Sequence, residues 1–200
     1  MESYMNTFDA QSHTYSIAGR PVSGVTRVIN TVLPGAVWKA DRYYLDKGSA
    51  VHACAALIAK GKQFEHDPTI SGQVASCRLF FAEIKPTVLS VEQQVYQETY
   101  GYAGTYDLHA IIQDKSVLVD WKSSASPVAE IQLGAYALAM PHPQPTWGMV
   151  VELHEDGKYK TGGMVKLVRR GQEFLSCLSV FNLRVRLGLI ETKEASNGNG

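Results

Sequence analysis

The stretch Ala103-Gly-Thr-Tyr-Asp-Leu-His-Ala-Ile-Ile-Gln113, followed across Asp114-Lys115 by Ser116-Val-Leu-Val-Asp-Trp-Lys122, decides the fold. Both halves are rich in β-branched and aromatic residues, and both are predicted strands. A two-residue polar turn at Asp114-Lys115 predicts an antiparallel hairpin in which Gln113 faces Ser116, Asp107 faces Lys122 and His109 faces Asp120. Side chains alternate with period two, so Asp107, His109, Asp120 and Lys122 should share one face. Tyr106, Leu108, Ala110, Ile112, Val117, Val119 and Trp121 should share the other. Two carboxylates and an ammonium on one face are costly to hold unless something binds them. A divalent cation meets that need: the carboxylates offer hard oxygen ligands, and the lysine can hold an anionic oxygen or a water beside them.

Working outward, residues 13–20 read as a short strand or loop. Ser23 is placed to cap a helix over 25–33, closed by Pro34-Gly35. A longer helix is predicted over 38–59, interrupted near Gly48, and another over 71–84, stopped by Lys85-Pro86. Residues 88–97 form a strand ahead of the hairpin. Pro127 opens a helix through residue 139. Strands over 147–154 and 159–168 flank Glu155-Asp-Gly157, and an amphipathic helix covers 172–187. The order ααα-βββ-α-ββ-α predicts one α/β domain over residues 1–194, a central mixed sheet flanked by helices, with a disordered tail over 195–200.

Two hundred residues with 45% hydrophobic content suffice for one sizeable core. Lys+Arg and Asp+Glu both number 19, which counts against a protein that coats DNA through net charge. The cations concentrate late: Lys158, Lys160, Lys166, Arg169, Arg170, Arg184, Arg186 and Lys193 face only Glu173 and Glu191 over 158–193. That segment is either a phosphate-binding surface or a solvated helix face. Three scattered cysteines, Cys54, Cys77 and Cys177, suggest no disulfide framework and a reducing compartment. With no signal-peptide pattern and no apolar run of about 18 residues, a soluble cytoplasmic protein without membrane contact is expected.

Four motifs stand in order along the chain: Gly48-Ser-Ala-Val-His52, Gly104-Thr-Tyr-Asp107, Asp120-Trp-Lys122 and Gln132-Leu-Gly-Ala-Tyr136. Together they resemble the PD-(D/E)XK nuclease superfamily, in the branch of RecB-type nuclease domains and the mitochondrial genome-maintenance exonuclease. The resemblance spans about residues 45–140. It implies a restriction-endonuclease-like core. It implies that Asp107 and Asp120 are metal-binding carboxylates, joined by the Trp121 carbonyl and by His52 as a nitrogen ligand. Lys122 matches the lysine that positions or deprotonates the attacking water and stabilises charge on phosphorus. Glu92, on the preceding strand, reaches the same face if that strand pairs across the 99–101 turn. Gln132 and Tyr136 match residues that position the substrate strand or scissile phosphate; read without the motif, they are a packing pair. His52 alone would read as a core histidine.

The activity so implied is metal-dependent hydrolysis of DNA, as an exonuclease in recombination, repair or phage DNA processing. Mg²⁺ or Mn²⁺ is the expected cofactor. Single- or double-stranded DNA is the expected partner, with a single-strand annealing or other recombination protein as a further one, in the cytoplasm of a bacterium or phage-infected host. A structure-specific or restriction-like endonuclease, and a non-catalytic nucleic-acid-binding module retaining the fold, are the competing readings. Arg169 and Arg170, then Lys39 and Arg42, are the DNA-binding candidates. Trp38, Tyr43 and Tyr44 either stack on bases or pack a helix seam. No P-loop is present, so no nucleotide cofactor is expected. Cys177 stands alone near the C-terminus, which argues against the iron–sulfur cluster of some relatives.

Overall fold

The structure, a computed structural model, describes residues 5–10, 12–34, 42–124 and 126–190. Its centre is the hairpin of β5 (Tyr102–Ile112) and β6 (Lys115–Lys122). Ile112 pairs with Lys115 and Leu108 with Val119, so the turn is Gln113-Asp114. Both turn residues have positive φ, 49° and 59°. That mirror-image turn follows the right-handed twist of the strands, which a turn at Asp114-Lys115 would not. The expected register is therefore corrected by two residues: His109 faces Leu118. A slip of two leaves every β6 side chain on its expected face.

β4 (Thr87–Gln97) runs antiparallel along one edge of β5. Helix α4 (Ala129–Ala139) carries the chain from β6 to β7 (Trp147–Leu153), which lies parallel to β6. β8 (Tyr159–Thr161) and β9 (Val165–Lys166) pair antiparallel with β7. An N-terminal meander of β1 (Thr7–Asp9), β2 (Thr14–Ile17) and β3 (Arg20–Gly24) joins through β3, parallel to Tyr102 and Ala103 of β5. The nine strands of the described residues form one mixed sheet.

Alternation along β6 separates two apolar layers. Leu118 packs with α1 (Val25–Val32), α4 and α5 (Leu167–Arg186), through Val28, Ile29, Leu133, Phe174 and Phe181. Val117, Val119 and Trp121 pack with α2 (Arg42–Ala59) and α3 (Ser71–Ile84), through Ala55, Cys77 and Phe80. Trp121 is 2% exposed, with the Phe80 ring edge-on at 5.2 Å. This is the expected mixed sheet flanked by helices.

Several boundaries differ from expectation. The N-terminal meander replaces one short strand or loop, because its strands are too short and polar to show a period. Ser23 does not cap α1; it pairs with Tyr102, and Gly24 is an N-cap without a side-chain bond. α2 runs through Gly48 unbroken, since one helical glycine costs only about 1 kcal/mol. The predicted strand over 159–168 is split at Gly162-Gly163, where Gly163 has φ +87°, and α5 starts at Leu167, five residues early. Trp38 and the tail over 195–200 lie outside the described residues.

Two features of β5 position the site. First, β6 covers one edge from Leu108 onward and β3 covers it at Tyr102 and Ala103, which leaves Gly104 to Asp107 without a ladder partner on that side. Second, the buried side chains change layer at Asp107. Tyr102 and Tyr106 belong to the α1/α4/α5 layer, whereas Leu108, Ala110 and Ile112 belong to the α2/α3 layer. Tyr106 is thus corrected from the expected set. Across the ladder from Asp107, between the pairs Val91↔Leu108 and Gln93↔Tyr106, Glu92 adopts φ +52°. A non-glycine residue there stores about 1–2 kcal/mol of strain, which the surrounding pairing holds in place. Among the described residues no helix is long and apolar enough to cross a membrane.

The approach of α4 to β5 requires Gly104. A Cβ at that position would lie 2.5 Å from Tyr136 Cε1, whereas one at Gly48 meets nothing within 4 Å. Gly104→Ala should therefore destabilise the fold by about 1–3 kcal/mol in denaturant titration. Gly48→Ala, the matched control, should stabilise it by about 0.5–1 kcal/mol.

Candidate metal centre

Asp107 is held from two sides. Its Oδ2 accepts the Trp121 backbone N–H at 2.8 Å, replacing the ladder bond lost where β5 and β6 part. Its Oδ1 lies 3.2 Å from His52 Nδ1, projecting from α2. One ligand atom from each of His52, Glu92 and Asp107 lies within 4.8 Å of the others. Glu92 reaches this group from a backbone that leaves the extended region, with φ +52°.

Asp120 stands beside the cluster on β6, 4% exposed. Its Oδ1 accepts from Lys122 Nζ at 3.0 Å. Its Oδ2 is 2.8 Å from the same ammonium but out of line for a hydrogen bond, and is a buried oxygen without a donor. Held only by this ammonium, Oδ2 keeps a lone pair for a further partner. One imidazole nitrogen, two clustered carboxylates and this oxygen fit a hard divalent cation. Asp120 is not within the 4.8 Å group itself.

The charges are strongly interdependent. Burial alone would pull the His52 pKa down, but the Asp107 charge and hydrogen bond overcome it and push it up to about 9. Burial acts first on Asp107 too, raising it, yet His52, Lys122 and the Trp121 N–H hold it below the usual carboxylate range. Glu92 is pushed up to about 7, by burial and then by the Asp107 charge. Asp120 sits above its usual range because burial, seconded by Asp107, outweighs Lys122. Lys122 loses to burial but gains more from Asp120 and Asp107, and lies above its ordinary value.

Next to the carboxylates, Gln132 and Tyr136 occupy one face of α4, both buried. Gln132 Nε2 donates to Thr26 Oγ1 at 3.0 Å and to the Tyr136 hydroxyl at 3.4 Å. Burial, then the Asp120 and Asp107 charges, raises the Tyr136 phenol above its usual range. Thr26, on α1, did not stand out in the sequence; a threonine just inside a helix carries no signal of what packs against it.

The structure thus brings together His52, Glu92, Asp107, Asp120, Lys122, Gln132 and Tyr136. Trp121 enters through its backbone. His109 does not join: its Nε2 bonds Ser116 at 2.8 Å. Arg170 binds the carboxylates of Glu130 and Glu173, tying α4 to α5, and Arg169 also binds Glu173. Both arginines lie in the first turn of α5, not in a strand-to-helix turn. Tyr43 and Tyr44 are exposed on α2 and touch each other edge-on. Lys39 lies outside the described residues, as does the side chain of Arg42.

No family model matches the chain, and no curated protein does. Among solved structures it is similar to an alkaline exonuclease (LHK-Exo) from Laribacter hongkongensis, with TM-score 0.41 and 14% identity over 84% of this chain and 89% of that one. The same figures hold for LHK-Exo in complex with dAMP. SSO0001 aligns with TM-score 0.31 and 16% identity over 76% of this chain and 74% of that one.

Because folding raises the His52 pKa from 6.5 to about 9, the His52–Asp107 pair stabilises the metal-free fold fully below pH 6.5. That stability is lost as pH rises through about 9. Thermal melting in EDTA should show a declining midpoint across this window, and His52→Gln should flatten the decline.

Proposed function

We propose that the chain is a divalent-metal-dependent nuclease that hydrolyses phosphodiester bonds in DNA. The observation that carries this reading is the half-buried group of His52, Glu92 and Asp107, with the buried Asp120 carboxylate and the Lys122 ammonium beside it. A site built only for stability would not keep three carboxylates together.

His52, Asp107 and Asp120, with the Trp121 carbonyl, would hold Mg²⁺ or Mn²⁺. Such an ion supplies Lewis acidity toward a phosphoryl oxygen and makes water more acidic. Lys122, anchored by Asp120 and with its pKa raised, stays an ammonium and balances negative charge developing on the phosphoryl group. Glu92, with a carboxyl near pH 7, takes the proton that the attacking water gives up. The water oxygen bonds to phosphorus, the ester P–O bond breaks, and the leaving oxygen is protonated from solvent. Tyr136, kept neutral, is a hydrogen-bond donor for the anionic substrate. Action on DNA ends, in recombination, repair or phage DNA processing, rests on the four motifs in order; linear against closed circular DNA separates it from endonuclease activity.

Digestion of end-labelled DNA should require Mg²⁺ or Mn²⁺ and stop in EDTA. Asp107→Ala, Asp120→Ala and Lys122→Ala should each lower the rate about 100- to 1,000-fold while the chain remains folded. Near-wild-type cleavage by Asp120→Ala would refute the reading.

The metal should also compete with protons. His52 holds a proton below about pH 9, so Mn²⁺ affinity measured by calorimetry should climb with pH toward that value, by up to about tenfold per unit. His52→Ala should weaken Mn²⁺ binding and remove that part of the slope. Unchanged affinity would return His52 to a packing role.

A further inference from the structure

Thr26 is exposed, yet it ends a chain of hydrogen bonds that runs through two buried polar side chains of α4. Its hydroxyl accepts from the Gln132 amide at 3.0 Å. The phenol oxygen takes a further hydrogen bond from Gln132 at 3.4 Å. A phenolic oxygen has two lone pairs and one proton. With the Gln132 amide on one lone pair, the Tyr136 proton remains free to be donated. Asp120 and Asp107 are the charges that act on the phenol. Gly104 makes room for the ring, since any side chain at that position would collide with it.

We propose that Thr26 is a positioning residue, which with Gln132 fixes Tyr136 as a hydrogen-bond donor to a non-bridging phosphoryl oxygen of the DNA strand. The proposal rests on the nuclease reading above and deepens it, because it links α1 to the reacting group through two defined contacts. A donor fixed in advance contributes most where charge grows, in the transition state, and so acts on kcat more than on KM. Thr26 has no covalent or metal-binding part in the reaction. Its effect is exerted through Tyr136 alone.

The test is steady-state cleavage of a short end-labelled DNA with saturating Mn²⁺ by the wild type, Thr26→Val, Thr26→Ser, Tyr136→Phe and the double variant Thr26→Val/Tyr136→Phe. Thr26→Val keeps the side chain's shape and removes its hydroxyl. It should lower kcat about tenfold with little change in KM, the worth of roughly one hydrogen bond. Thr26→Ser should restore kcat, and the double variant should be no slower than Tyr136→Phe, since both act through one donor. The thermal midpoint of Thr26→Val should fall by only a few degrees, because the Gln132 amide keeps the Tyr136 hydroxyl as a partner. Wild-type kcat in Thr26→Val, failure of serine to rescue, or losses that multiply in the double variant would each overturn the role of Thr26 and leave the nuclease reading standing. A wild-type chain that cleaves no DNA with either metal would overturn both.

Discussion

The bond from the Trp121 backbone N–H to the Asp107 carboxylate is the contact around which the site is arranged. It occurs where two antiparallel strands stop pairing, so a side chain does what a backbone carbonyl would otherwise do. Below that point, β5 and β6 are an ordinary ladder with apolar side chains on each face. Beyond it, β6 continues along β7 while β5 goes on to meet β3, and the edge of β5 between them is left open. A buried N–H needs an acceptor, and a buried carboxylate needs donors. Each answers the other, and the opening is thereby fixed in shape.

The remaining charges follow from that opening. His52 on α2 faces Asp107 from one layer, and Tyr136 on α4 approaches through the space that Gly104 leaves. Lys122 bends back to Asp120, two residues earlier on the same strand face. Glu92 reaches the group only because its backbone leaves the extended region. Each is held by an element whose opposite side is embedded in apolar packing: α2 through Ala55, α4 through Leu133, β6 through Trp121. The energy that holds the polar groups in close quarters comes from those layers, at roughly 25 cal/mol for each Å² of apolar surface removed from water.

Some cations of the basic segment near the C-terminus are engaged within the fold. Arg170 joins α4 to α5 through Glu130 and Glu173, where Gly134 already brings the helix backbones into contact. Lys115 and Lys166 lie over the Trp147 ring, at 4.5 and 4.7 Å. Cations with such partners brace the fold, and a count of lysines and arginines does not separate that role from contact with a phosphate.

The sequence by itself determined the strands and helices of residues 71–139 and the faces of β6, because hydrophobic period, Pro86 and the turn residues act over a few positions. It also marked Asp107, Asp120 and Lys122 as a polar group that packing could not account for. It misplaced the hairpin turn by one residue, and with it the register, since Gln113 gives no local sign that it will adopt positive φ; the twist of the assembled strands selects that turn. Only the tertiary structure decided that β5 changes layer at Asp107, that Glu92 turns toward it through a positive φ, and that the short polar strands before α1 close the far side of the gap. Thr26 became visible on the same terms. Its importance lies in Gln132 and Tyr136, more than a hundred residues away along the chain, and no local pattern encodes a contact that exists only after α1 and α4 pack together.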